Sequence, residues 1–237
     1  MTDSPNELDV LCAGAVQGLV KALMVQFEQQ TGAALRTQFG AVGAMKEALL
    51  TGQPCDVMII TDAMVVQLQE AGALSAAPRS PLGGVRTGVA TRSGARLPDI
   101  STPDALRSTL LAATAIYFPD PQRATAGIHF ASVIERLGVR DAVASRVRNF
   151  PNGATSMREL AADASAAPIG CTQITEINYT PGLALVGPLP KEFELATVYT
   201  AAIAARTSRS ALARQFIDLL AGQQSRSLRA EGGFEFD

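Results

Sequence analysis

The apolar residues of this 237-residue chain fall in short blocks that switch between two spacings. Residues 8–13 (LDVLCA) form a short, nearly continuous apolar run, which fits a buried strand. Val16, Leu19, Val20, Leu23, Met24 and Phe27 then repeat at helical spacing, and Thr31-Gly32 closes the helix. Residues 35–39 read as a second strand, followed by the small-residue loop Gly40-Ala41-Val42-Gly43 and a short helix to about Leu50. Residues 56–60 (DVMII) read as a third strand, with Asp62 able to cap the helix after it. Strands alternating with helices predict a parallel sheet with crossover helices.

The pattern continues after a connector rich in Ala, Gly, Pro and Ser at 72–84. Strands are predicted at 85–91, 115–118, 168–171, 183–186 and 197–204. Helices are predicted at 103–111, with Ser101 or Thr102 as cap, and at about 154–162. Two more helices follow from the faces Phe130, Val133, Ile134, Leu137 and Leu212, Phe216, Leu219, Leu220. Pro119-Asp120-Pro121 is a turn signal. The segment 84–195 reads as a second α/β lobe inserted into a first lobe made of 1–83 and 196–237. Two crossings between lobes imply a hinge, and a hinge implies a cleft.

Composition narrows the function more than the fold. At 47% apolar and 18% charged residues the chain can build a real core, and its net charge of −2 gives no electrostatic case for nucleic acid. Of its 20 basic residues 17 are arginine, and they are scattered. Tryptophan is absent and aromatics are few, so a site that stacks sugars or bases is not expected. Cys12, Cys55 and Cys171 sit in or beside apolar runs with no metal spacing, and His129 is the single histidine. No metal and no cofactor is implied. Hydrolase and kinase motifs (GxSxG, GxxxxGK[ST], HExxH) are missing. The opening residues are polar and acidic, without the apolar core of a secretory leader, and no run of 18 apolar residues occurs. The expectation is a cytoplasmic chain without membrane insertion, periplasmic only if a leader has been removed.

Three stretches carry a family resemblance. They are LDVLCAGAVQGLVKALMVQFEQQTG from Leu8, TGQPCDVMIITDAMVVQLQEAGAL from Thr51 and FPDPQRATAGIHFASVIERLG from Phe118. The second contains a G-x-P-x-D entry to a strand, and the third a D-P-x-x-x-x-A-G turn into a helix. Together they resemble the type II periplasmic binding proteins, most closely the molybdate-binding branch. The resemblance implies an α/β, two-lobed fold, each lobe a mostly parallel sheet flanked by helices, joined by a two-strand hinge. It also implies a small anionic ligand, and an ABC permease as partner only if the chain is exported.

In such sheets ligands bind beyond the carboxyl ends of the strands, where helix N-termini offer free amides and partial positive charge. The candidate ligand contacts are Gly14, Ala15 and Val16, then Ala41, Val42 and Gly43, then Arg123, Thr125 and Ala126, then Asn152 and Gly153, with Gln173 after a strand end. The family's molybdate binders also use side-chain hydroxyls, and those positions fall here at Ala15, at Gly40 to Gly43 and near Gln173. Their loss favours a carboxylate over molybdate, tungstate or sulfate, with Arg123 as a clamp. A related branch, resembling aconitate isomerase, makes an isomerase of an unsaturated carboxylate the alternative. His129 or Glu176 would then move the proton. His129 also borders an apolar helix face, and Glu176 also fits a solvated helix position, so structural roles compete for both.

Overall fold

The computed structural model describes residues 7–236. In chain order the elements are β1 (Glu7–Ala13), α1 (Gln17–Thr31), β2 (Ala34–Gly40), α2 (Val42–Leu50), β3 (Val57–Thr61), α3 (Asp62–Glu70) and β4 (Ser80–Arg92). Then come α4 (Pro103–Ala112), β5 (Ala115–Pro119), α5 (Thr125–Arg136), α6 (Arg140–Val143), β6 (Val147–Phe150), α7 (Gly153–Ala162), β7 (Pro168–Gln173) and α8 (Ile174–Asn178). The last are β8 (Leu183–Pro188), β9 (Ala196–Ile203), α9 (Ser210–Ala221) and α10 (Arg226–Gly232). The contacts divide the described residues into two compact units, one of residues 7–84 and 197–236 and the other of residues 85–196.

In unit 1, β1 lies between β2 and β3 and runs parallel to both, with Ala13 opposite Gly40 and Cys12 opposite Ile59. β9 closes the other side of β3 antiparallel. The apolar stripe of α1 buries Leu19, Val20, Leu23 and Phe27, and Phe27 meets Phe216 of α9 edge-on at 5.0 Å. Gly32 ends α1 in the left-handed conformation at φ 70°, which glycine adopts without a Cβ penalty.

In unit 2, β6, β5 and β7 are parallel, β7 pairs antiparallel with β4, and β8 pairs antiparallel with the other edge of β4. Side chains alternate across such a sheet. Ile169 and Cys171 of β7 join one core cluster with Phe130, Val133 and Ile134 of α5. Gly170 faces the other way, where a Cβ would come within 2.6 Å of Met157 and 2.7 Å of Leu160 on α7. So α5 covers one face of the unit 2 sheet and α7 the other.

Several local expectations change. The connector ends earlier than expected, because 80–84 is already strand. Gly84 and Glu235 exchange backbone hydrogen bonds at 2.8 Å, and buried Arg229 donates to the Leu82 carbonyl at 2.6 Å. Asp62 does not cap α3; Thr61 holds the cap position, and the Asp62 carboxylate takes the Thr200 hydroxyl at 2.9 Å and Arg79 at 2.8 Å. β6, α6, α8 and α10 were not expected. Thr102, one of the two caps expected for α4, accepts the Ala105 amide at 3.1 Å.

Candidate functional site

The parallel strands of unit 2 bring three carboxyl ends to one edge. Pro119 lies opposite Phe150, and Tyr117 opposite Gly170. The chain leaves this edge into α5, α7 and α8. Each helix start exposes amides that have no intrahelical acceptor, and two of the starts are treated differently by the sequence.

The start of α7 is filled by the protein's own groups. The Asn152 side chain accepts the Thr155 amide at 2.8 Å. The Glu176 carboxylate accepts the Thr172 hydroxyl at 2.5 Å and the backbone amides of Ala154 and Gln173. Gln173 is the cap position of α8 and Glu176 lies three residues on, so the Gln173 contact is one arm of a capping box. Gly153 packs directly on Glu176 and Thr172, which leaves no room for a Cβ. Burial raises the Glu176 carboxyl to about 7, and its three hydrogen bonds act in the opposite direction.

The start of α5 has no side-chain cap, and Gly127 in its first turn packs on the backbone carbonyls of Pro119 and Asp120, which leaves no room for a Cβ. Its cap residue, Ala124, has no side-chain acceptor to offer. Upstream, Asp120 ties the turn by accepting the amides of Gln122 at 2.7 Å and Arg123 at 3.2 Å. The amides of Thr125, Ala126 and Gly127 follow. Gln173 ends β7 on the α5 face, in step with Ile169 and Cys171. It is 2% exposed, and neither its carboxamide oxygen nor its nitrogen has a partner. Thr87 of β4 lies opposite Gln173, is 1% exposed, and has an unpartnered hydroxyl. The Thr87 amide donates to Leu195 at 3.0 Å and its carbonyl accepts from Leu189 at 3.1 Å, away from β7. The two residues are therefore a non-hydrogen-bonded cross-strand pair, the kind whose side chains approach most closely. Ser156 and Thr175 hold further buried hydroxyls without a partner.

The remaining expected residues separate. His129, on α5, contacts the Phe193 carbonyl through Nε2 at 2.7 Å. Glu176 lies on the α7 side, so the structure does not bring these two together. Arg123 is exposed on the loop before α5. In unit 1, Gly14, Ala15 and Val16 form a buried 3₁₀ turn at the end of β1, and Ala41 precedes α2 with no side-chain cap. Val42 is buried and Gly43 half-buried in the first turn of α2. These two turns offer backbone amides and no hydroxyl, while Thr61 brings a hydroxyl to the end of β3 on the same edge. Among the described residues no group of three or more His, Cys, Asp or Glu side chains is placed to hold a metal ion. Burial pushes the Cys55 thiol up to about 12, and Cys12 and Cys171 are raised well above the usual thiol range. Sequence reasoning missed Thr87, which sits inside a strand-like run and is revealed only by the strand register.

Two α/β units, a chain that passes between them twice, and helix starts gathered at the carboxyl edges define a solute-binding class of protein. The sequence profile of the bacterial extracellular solute-binding proteins matches residues 8–235, and the chain belongs to that family. Its fold is the type II periplasmic-binding-protein fold. It is similar to the periplasmic molybdate-binding protein of Azotobacter vinelandii, with a TM-score of 0.80 at 21% identity over 97% of this chain and 99% of that one. It is also similar to the sulfate-binding protein SubI of Mycobacterium tuberculosis, with a TM-score of 0.73 at 17% identity over 97% and 86%. An aconitate isomerase from a Pseudomonas species is 24% identical over 96% of this chain and 87% of its own length. Among the described residues, no helix is long and apolar enough to cross a membrane.

Proposed function

We propose that this chain binds a small anion, a carboxylate in preference to a molybdate-type oxyanion, at the carboxyl edge of unit 2. One observation carries the reading: the buried, unpartnered carboxamide of Gln173 ends β7 on the face that the uncapped α5 covers. Amides at a helix start attract negative charge, and a carboxamide nitrogen donates to a carboxylate oxygen. Thr125 and Ala126 supply backbone amides, and Arg123 is the cation of the same loop. The matching edge of unit 1, from Gly14 to Val16 and from Ala41 to Gly43, is a second candidate built from backbone alone. Membership in a solute-binding family supports a membrane permease as partner for an exported chain.

A thermal-shift panel of molybdate, sulfate, phosphate, citrate and the two aconitate isomers tests this. A ligand at 100 times its dissociation constant adds about 2.7 kcal/mol of stability. Stabilisation by citrate or aconitate, lost in Arg123→Ala, is the expected result; a response to molybdate alone overturns the carboxylate reading.

The second reading is a cytoplasmic isomerase of an unsaturated carboxylate. A carboxyl titrating near neutrality, Glu176, can both take and return a proton, but it lies on the α7 face, away from the Gln173 side, so this reading places the chemistry at the start of α7. The isomerase similarity supports it as well. Incubation with cis-aconitate, followed by NMR, decides: no trans-isomer above the buffer rate leaves binding alone.

A further inference from the structure

We propose that Gln173 and Thr87 select a ligand that donates a hydrogen bond as well as accepting one, so that the site takes a small hydroxycarboxylate and discriminates against anions that only accept. This rests on the anion-binding reading above and names the ligand class within it.

The argument begins with what a buried carboxamide requires. One end donates two hydrogen bonds and the other accepts. In Gln173 both ends are buried and neither is satisfied within the protein. The side chain does not cap α8, although the residue stands at the cap position. Native proteins rarely leave such groups without a partner, so each orphaned atom calls for a ligand or a water. Thr87, paired with Gln173 across the ladder, repeats the pattern with one hydroxyl.

The amides at the start of α5, which no side chain caps, only donate. A carboxylate can satisfy them and the nitrogen of Gln173, because its oxygens only accept. The Gln173 oxygen would then face negative charge with no hydrogen between them. A hydroxyl on the carbon next to the carboxylate removes this conflict by donating to that oxygen. Turning the amide over exchanges the two ends but still leaves one acceptor to satisfy, so the requirement does not depend on the amide's orientation. Fully deprotonated tetrahedral oxyanions carry no donor and leave the acceptor unpaired. An unpaired buried group of this kind weakens binding on the order of tenfold to a hundredfold.

The test uses pairs of probes that differ by one hydroxyl: malate with succinate, and citrate with tricarballylate, with molybdate as the acceptor-only reference. Calorimetric affinities are measured at pH 7.5 for the wild type, Gln173→Met and Thr87→Val. The expected result is tighter binding of at least one hydroxylated member by about tenfold to a hundredfold. Gln173→Met should bring that ratio close to one. If Gln173→Met does not fold, a reduced ratio in Thr87→Val carries the same information. Equal affinity for both members of each pair, or a ratio unchanged in both variants, overturns the inference and leaves the anion site standing. So does a liganded crystal structure in which water alone satisfies Gln173. Absence of binding by all five probes overturns the anion-binding reading together with it.

Discussion

Glu176 makes the stability of this protein depend on pH in a direction opposite to that of a salt-bridged carboxylate. It is 7% exposed, and burial raises it from 4.5, the value of an unperturbed glutamate, to about 7. The elements packed on α8 are β8, α7 and β7. β7 and β8 carry no charged residue, and Arg158 and Glu159 of α7 are exposed, so desolvation dominates. Between pH 4.5 and 7 the folded chain keeps a proton on Glu176 that the unfolded chain has released. Native protein then binds more protons than unfolded protein, and stability falls as pH rises. The contribution is full below about 4.5, is lost through about 7, and changes no further above that. About 2.5 pH units at about 1.4 kcal/mol each amount to about 3 kcal/mol. Glu176→Gln copies the protonated carboxyl in shape and cannot ionise. Urea unfolding of both proteins from pH 4.5 to 8.5 should give similar stabilities at the acid end. By pH 8.5 the variant should be more stable than the wild type by up to about 3 kcal/mol. All other titrating groups cancel in the difference. Parallel curves, separated by a constant amount across the range, would refute the reasoning, because Glu176 would then titrate alike in both states.

Gly153→Ala places a methyl group against Glu176 and Thr172. It should cost about 2 kcal/mol or more in urea unfolding, with a stronger pH dependence, because the Ala154 amide that lowers the Glu176 carboxyl is lost as the carboxyl is pushed away. Arg229→Met removes donors to the carbonyls of Leu82, Ala221 and Gly222 at 2.6, 2.7 and 3.0 Å. With Arg229 only 4% exposed, those losses should lower the unfolding free energy by about 2–4 kcal/mol. Gln173→Met should leave the ligand-free protein as stable as the wild type or more stable, since it removes two unsatisfied buried groups; a large loss in melting temperature would show that the amide has a partner inside the fold.

Where one local pattern governs an element, the chain could be read directly. α1 shows its buried face in Leu19, Val20, Leu23 and Phe27, and β3 shows itself as an unbroken apolar run. β6 could not be read in this way. Its residues Arg148 and Asn149 are exposed, and it is a strand because the open edge of β5 offers it a parallel partner, Ile116 opposite Val147. α8 is five residues long, too short for any period to appear, and its one sequence signal is Glu176 three residues after the cap position. Residues 80–84 looked like linker because what makes them strand, Arg229 and Glu235, comes from the far end of the chain.

The same division runs through the site. Small residues at strand ends pointed to the helix starts at α5 and α7 alike, since glycine and alanine look the same whether they admit a ligand or a neighbouring side chain. What separates the two starts is long-range. At α7, Glu176 folds back from the next element and its carboxyl oxygens accept the hydroxyl and amides that a bound anion would otherwise accept. At α5 no side chain caps the start, although Gly127 packs on the Pro119 and Asp120 carbonyls, and the residue on the adjacent face is Gln173, which is neutral and unsatisfied. Which face Gln173 occupies follows from β7's alternation, and its pairing with Thr87 follows from the register with β4. A shift of one residue in β7 would exchange Gln173 with Thr172 and put the carboxamide on the side that Glu176 already fills. The specificity of this site is therefore a property of strand register, which no local stretch of sequence displays.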